Sequence, residues 1–287
     1  MKMKIVLALI TLTFSFVVEV QGQVSFEPDS TLYYKTTAQG KLEMHLFKPE
    51  NYKVSEKGPV IIFFFGGGWT GGTPKQFYQQ ARYFANKGIL TISAEYRIKS
   101  KHKTSPFECV SDGKSAVRWV RVHADALGIN PNKIIASGGS AGGHVAACTG
   151  VIDGYDEVSD DLNISSIPNA MLLFNPVIDT TEKGYGIDKV GENRKTDISP
   201  CHHVESGIVP TLICHGTADK IVSFENVERF TKLMNEAGNI CKLIPFENKG
   251  HGFFNGSFFR KNNTDEDFNI TMEESIDFLA KINMVTN

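Results

Sequence analysis

From residue 60 onward, short apolar runs of strand length alternate with stretches whose apolar residues recur at helical spacing. Residues 60–65 (Val-Ile-Ile-Phe-Phe-Phe) form a continuous apolar run, the pattern of a central strand buried on both faces. Before it, residues 31–36 and 41–47 alternate as two antiparallel strands about a Gln39-Gly40 turn, and 51–58 form a polar loop. A helix is expected from Pro74 to Lys87, with Thr73 as N-cap, Pro74 at the first helical position and Gly88 just past its end. A strand at 89–94 follows, then a helix at 107–123 with Val110, Ala116, Val117 and Val120 toward the core. Asn130-Pro131 marks a turn before the strand that leads to Ser140. Further on, strands are expected at 170–174, 211–215 and 241–246, and helices at 224–237 and 270–282. Alternation of this kind implies an α/β fold: a mostly parallel central sheet with helices on both faces and right-handed crossovers. No repeat or domain boundary interrupts it, so residues 23–287 are expected to form one domain. The irregular stretch 175–209 is the candidate lid or insertion, because long irregular loops in compact domains are usually functional.

The first 22 residues carry a different pattern. A basic start (Met1-Lys-Met-Lys4) precedes an uncharged apolar run at 5–18, and Val20-Gln21-Gly22 places small residues at −3 and −1. This pattern predicts a signal peptide with cleavage after Gly22. Its apolar run of about 14 residues is short of the roughly 20 that span a bilayer. No second long apolar stretch follows, so no stable membrane insertion of the mature chain is expected. The destination is then periplasmic or extracellular. The formal net charge is −2, with no basic stripe, which argues against a nucleic-acid partner. The five cysteines match no metal or disulfide spacing. Cys109, Cys148, Cys214 and Cys241 fall in expected helices or strands, where buried free thiols are the default, although one bridge stays open. Asn163, Asn255, Asn262 and Asn269 begin N-x-S/T patterns, which matter only in a eukaryotic secretory route.

The chemistry gathers around Gly138-Gly139-Ser140-Ala141-Gly142, which fits G-x-S-x-G between a strand and a helix. The serine occupies the apex of a strained turn, and glycines flank it where a side chain would collide with neighbouring strand or helix. A serine hydroxyl needs a base, and a parallel sheet gathers the carboxyl ends of its strands along one edge. Asp219 follows the strand at 211–215, and His251 follows the strand at 241–246. The chain order Ser140, Asp219, His251 is that of a nucleophile-acid-base triad. Glu225 and Glu247 are possible substitutes for the acid. Asp219 is preferred for its place at a strand end. His144 and His215 read as packing or structural residues. Cys201-His202-His203 lacks a partner motif, so neither metal nor cofactor is expected. The oxyanion of the attack needs donors, and Ala141 supplies one amide. Others are expected from Gly66-Gly67-Gly68-Trp69 after the strand 60–65, where glycines let amides approach a substrate. That loop lacks the ending of a P-loop and the spacing of a dinucleotide fingerprint.

With Phe65-Gly66-Gly67-Gly68-Trp69, Gly138 to Gly143, His215-Gly-Thr-Ala-Asp219 and Gly250-His251-Gly252-Phe253, the chain resembles the α/β-hydrolase superfamily from residue 60 onward. It is most similar to the esterase/lipase group, and within it to bacterial secreted feruloyl and acetyl-xylan esterases. The resemblance implies an α/β-hydrolase fold and assigns the oxyanion amides to Gly67, Gly68 and Ala141. One departure stands out: Phe65 occupies the place of the usual histidine, which braces the loop by hydrogen bonds. Asp112 lies where such proteins often carry an aspartate and reads as structural.

The expected function is a secreted serine carboxylester hydrolase. It would form an acyl-enzyme on short-chain or carbohydrate-linked acyl esters of the acetyl or feruloyl type. Its partner is thus a small-molecule or glycan ester. Trp69 and Phe253, with Phe254, are candidates for stacking against substrate, and packing into the core is the other reading of these aromatics. A serine peptidase of the same fold and an inactive hydrolase-fold binding protein are the remaining readings.

Overall fold

The computed structural model describes residues 26–285. The expected signal peptide, residues 1–22, lies outside the described residues. In chain order the elements are strands β1 (Ser30–Thr37), β2 (Gly40–Phe47) and β3 (Gly58–Phe64), helix α1 (Tyr78–Asn86), strand β4 (Leu90–Ala94), and helices α2 (Lys99–His102) and α3 (Pro106–Val122). Strand β5 (Ile129–Gly139), helix α4 (Ala141–Val151), strand β6 (Ala170–Phe174), helix α5 (Ile187–Val190) and strand β7 (Thr211–Gly216) come next. Helix α6 (Phe224–Glu236), strand β8 (Cys241–Phe246) and helix α7 (Glu266–Lys281) close the fold.

The strands form one sheet in the order β1-β2-β4-β3-β5-β6-β7-β8. Strand β2 is antiparallel to both β1 and β4, and all other pairs are parallel. Every residue of β4 and β6 is buried, as is β3 from Val60 on, because helices cover both faces. Buried hydroxyls on β4 are satisfied locally: Thr91 donates to the Ala81 carbonyl (2.9 Å) and Ser93 to that of Pro74 (2.8 Å). Helix α4 is buried along nearly its whole length, since its glycines and alanines let it lie close against the sheet.

Several boundaries differ from the sequence expectation. Asn130-Pro131 lies inside β5, where the register with β3 shifts between Gly58 and Val60. Proline has no N–H for the ladder and is accommodated at such an irregularity. The helix expected from Pro74 opens as a 3₁₀ turn, Pro74–Phe77, capped by Thr73, before α1 begins. Helix α7 starts about a turn earlier than expected. Glu266 and Asp267 in its first turn suit the positive end of the helix dipole. The short α2 was not expected.

Asp112 is structural. Its fully buried carboxylate takes Lys35 Nζ at 2.6 Å and Arg97 Nη2 at 2.8 Å, tying β1 to α3 and to the loop after β4. Glu157 completes the cluster, 2.8 Å from Lys35 and 2.7 Å from Arg97. All five cysteines are free and buried. No helix among the described residues is long and apolar enough to cross a membrane.

Candidate active site

The parallel register sets β3, β5, β7 and β8 with their carboxyl ends along one edge of the sheet. Phe64 pairs with Gly138, Gly139 with Phe174, and Gly216 with Phe246. The loops that leave these ends carry the glycine run, Ser140, Asp219 and His251.

Ser140 has φ 56° and ψ −121°, a conformation that L-residues rarely adopt. The crowding around it explains the glycines. A Cβ on Gly138 would lie 2.5 Å from the Gly142 carbonyl oxygen, and one on Gly142 would lie 2.1 Å from that of Phe64. The turn is held by Ser140 N–H donating to Phe174 (3.0 Å) and by the Ser140 carbonyl accepting from His144 (3.0 Å) and Val177 (3.2 Å).

Ser140 Oγ lies 3.0 Å from His251 Nε2, and His251 Nδ1 lies 2.7 Å from Asp219 Oδ2. The structure therefore brings together the three residues expected from sequence. Of the alternative acids, Glu225 stands in the first turn of α6 and Glu247 accepts from Thr217. The Asp219 side chain is fully buried. Its Oδ1 accepts from the amides of Ile221 (2.8 Å) and Val222 (3.1 Å), and its Oδ2 also accepts from Asn175 Nδ2. His215 Nε2 stands 3.3 Å from Oδ2 and 2.9 Å from the Val222 carbonyl. Burial alone would raise the Asp219 pKa. The hydrogen bonds from His215, His251 and the Val222 amide outweigh that and hold it well below the usual carboxylate range. Asn175 was missed in the sequence, although it follows β6 at the same edge and has a positive φ of 42°.

Gly67 and Gly68 have φ of 128° and 59°. Their amides find no protein acceptor among the described residues, and the Gly67 carbonyl accepts from Thr70 and Gly71, both at 3.1 Å. Ala141 is the first residue of α4, so its amide belongs to the open N-terminal end of a helix. The glycine loop is braced without a histidine. Gln76 Oε1 accepts from the Gly66 amide (2.6 Å), and Gln76 Nε2 donates to Asn255 Oδ1 (3.1 Å).

The cleft over Ser140 has a volume of about 360 Å³, and its walls include Gln76, Tyr185, Ile221, Phe254 and Arg260. Trp69 and Phe253 do not line it. Trp69 is 1% exposed, packed edge-on against His144 and over Gly186. Phe253 is 7% exposed and packs on Phe246 at 4.3 Å. Both aromatics therefore belong to the core, and of the candidates only Phe254 reaches the cleft wall. Tyr185 comes from the stretch 175–209, and its hydroxyl lies 2.8 Å from where a Gly68 Cβ would be. His144 is fully buried, and its Nε2–H donates to the Ile198 carbonyl (2.6 Å). Burial pulls its pKa down to about 4. Cys201, His202 and His203 turn to separate partners, Asn226 O, Ser199 Oγ and Thr196 O.

Residues 44–190 match the BD-FAE family, and residues 173–281 match the Dienelactone hydrolase family. An acetylxylan esterase of Xylanibacter ruminicola is 29% identical over 237 residues, 77% of this chain and 45% of that protein. Esterase LipC of Mycobacterium tuberculosis is 25% identical over 219 residues, 69% of this chain and 54% of that protein. The chain thus spans about half the length of these two curated relatives. Among solved structures, Thermogutta terrifontis esterase 2 phosphoramylated by tabun superposes with a TM-score of 0.85 at 41% identity, covering 90% of this chain and 96% of that one. The same esterase with propionate bound superposes with a TM-score of 0.84 at 39% identity, covering 92% and 98%. By family match, by fold and by this overlap, the chain belongs to the α/β-hydrolase esterases, within the BD-FAE family.

Proposed function

We propose that this chain is an exported serine carboxylester hydrolase of short-chain or carbohydrate-linked acyl esters, acetyl or feruloyl in type. The observation that carries the reading is the Ser140–His251–Asp219 relay, with contacts of 3.0 and 2.7 Å. In this mechanism His251 Nε2 takes the Ser140 proton as Oγ attacks the ester carbonyl. Asp219, ionised and fixed by backbone amides, holds the proton of His251 on Nδ1 and stabilises the imidazolium. The amides of Gly67, Gly68 and Ala141 receive the oxyanion. Collapse expels the alcohol, protonated by His251, and leaves Ser140 acylated. Water activated by His251 then releases the acid and restores Oγ–H.

The modest cleft favours a short acyl group, and residues 175–209 act as a partial lid through Tyr185. Thermogutta terrifontis esterase 2 with propionate or butyrate bound, and phosphorylated by paraoxon, supports both the short acyl chain and a nucleophile of this kind. The acetylxylan esterase relative supports a carbohydrate-linked acetyl ester. Export rests on the basic and apolar pattern of residues 1–22.

The test is turnover of p-nitrophenyl acetate, butyrate and octanoate by the chain and by Ser140→Ala, with paraoxon labelling alongside. The expected result is preference for the short esters, loss of activity in the variant by about 10⁴-fold or more, and one paraoxon adduct on Ser140. Equal rates for the two proteins would overturn it.

A further inference from the structure

We propose that the cleft beside Ser140 takes esters whose leaving alcohol carries a carboxylate, and that Arg260 is the side chain that reads it. The inference rests on the ester-hydrolase reading and names the substrate class of that same site. Among the described residues of the cleft wall, Arg260 is the permanently charged side chain. Two of the other polar walls are already committed. Gln76 holds Gly66 and Asn255, and Asn255 Nδ2 donates to the Gly252 carbonyl at 2.9 Å. Ile221 and Phe254 are apolar.

Arg260 also lacks the carboxylate partner that most arginines of the fold possess. Arg97, Arg118 and Arg229 each meet a carboxylate, from Asp112, Asp156 and Asp179. No described carboxylate comes within 4.0 Å of Arg260, and its contact is Nη1 donating to the His251 carbonyl at 3.3 Å. Nη2 lies over Gly252, where a Cβ would approach it to 2.5 Å. The glycine therefore seats the guanidinium against the residue that follows His251.

Its position also decides which half of the ester it faces. The leaving oxygen must come within hydrogen-bond reach of His251 Nε2 to take its proton. The alcohol therefore lies on the His251 side of the cleft, and Arg260 is on that side. The planar fork of donors matches a carboxylate in paired geometry. Hydroxy acids and sugars that bear a uronic carboxylate are alcohols of this class.

The test compares 4-acetoxybenzoate with its neutral analogue 4-acetoxybenzamide, using wild type, Arg260→Gln and Arg260→Lys. The readout is the ratio of kcat/KM for the anionic ester to that for the neutral one. We expect this ratio to fall about fivefold in Arg260→Gln, the range of an exposed ion pair, and to be partly kept by Arg260→Lys. In wild type it should fall as sodium chloride is raised, and in Arg260→Gln it should not. An unchanged ratio overturns the inference, whether both rates drop together or neither moves. A joint drop would mean that Arg260 acts by holding the His251 carbonyl. If wild type hydrolyses neither ester faster than Ser140→Ala, the ester-hydrolase reading itself fails and takes this inference with it.

Discussion

The ring of Phe65 stacks on that of Tyr96 at 4.3 Å, and the Tyr96 hydroxyl donates to the Phe65 carbonyl at 2.6 Å. Phe65 stands where the family resemblance places a histidine, and this pair shows what replaces its bracing. An aromatic face and a hydroxyl fix the backbone immediately before the glycine loop. Tyr96→Phe keeps the stack and removes the hydrogen bond. It should cost about 1 kcal/mol in urea denaturation. Phe65→Ala empties a buried site and should cost about 3–4 kcal/mol. If the pair positions the loop amides, Tyr96→Phe also lowers kcat on p-nitrophenyl butyrate more than it raises KM. A kcat unchanged in Tyr96→Phe would leave the pair with a role in stability only.

Asp219→Asn tests the electrostatics of the relay. Asp219 Oδ2 faces donors on Asn175 and His251, so an Asn amide group placed there would oppose them. His251 would then favour the wrong tautomer, and kcat should fall about 10⁴-fold. The folded pKa of Asp219 is depressed below 3.8. Its carboxylate therefore contributes stability that is fully present above that value and is lost as the pH falls below it. The stability gap between wild type and Asp219→Asn should narrow in acid. Denaturation curves at pH 6 and pH 3 measure it, and a constant gap would contradict the assignment.

His144 should make the fold sensitive to mild acid. Its pKa is about 4 in the fold against 6.5 for the free side chain, because burial disfavours the charged ring. Between these values the unfolded chain binds a proton that the folded chain refuses, so stability is lost as the pH falls through this window. The shift corresponds to about 3 kcal/mol. His144→Gln should therefore lose less stability than wild type between pH 7 and pH 4. Parallel curves for the two proteins would refute the buried neutral histidine.

Two glycines near the site should respond to alanine to very different degrees. At Gly142 a Cβ would meet the backbone carbonyl oxygens of Phe64 and Phe65 at 2.1 and 2.3 Å, and neither can yield without moving β3. Gly142→Ala should destabilise by about 3 kcal/mol and disturb the amide of Ala141 beside it. At Gly71 nothing lies within 4 Å of a new Cβ, and Gly71→Ala should stay within about 0.5 kcal/mol of wild type. Thermal melts of the two variants separate the cases.

The sequence by itself determined the parts that local chemistry governs. Continuous apolar runs announced the strands of the central sheet. The glycines around Ser140 announced a turn that only small residues permit. Strand-end positions then pointed to Asp219 and His251, because parallel strands place their carboxyl ends together. Only the tertiary structure decided the rest. It chose Asp219 over Glu225 and Glu247 by setting its carboxylate 2.7 Å from His251. It turned Trp69 and Phe253 into the core, since an aromatic in a loop packs against whatever distant segment arrives beside it. The brace of the glycine loop joins Gln76 to Asn255, residues 179 positions apart, and Arg260 reaches the cleft from beyond the motif that carries His251. Periodicity and spacing report on neighbours along the chain. Contacts between segments far apart in sequence depend on how the sheet brings them together, and no local pattern encodes that.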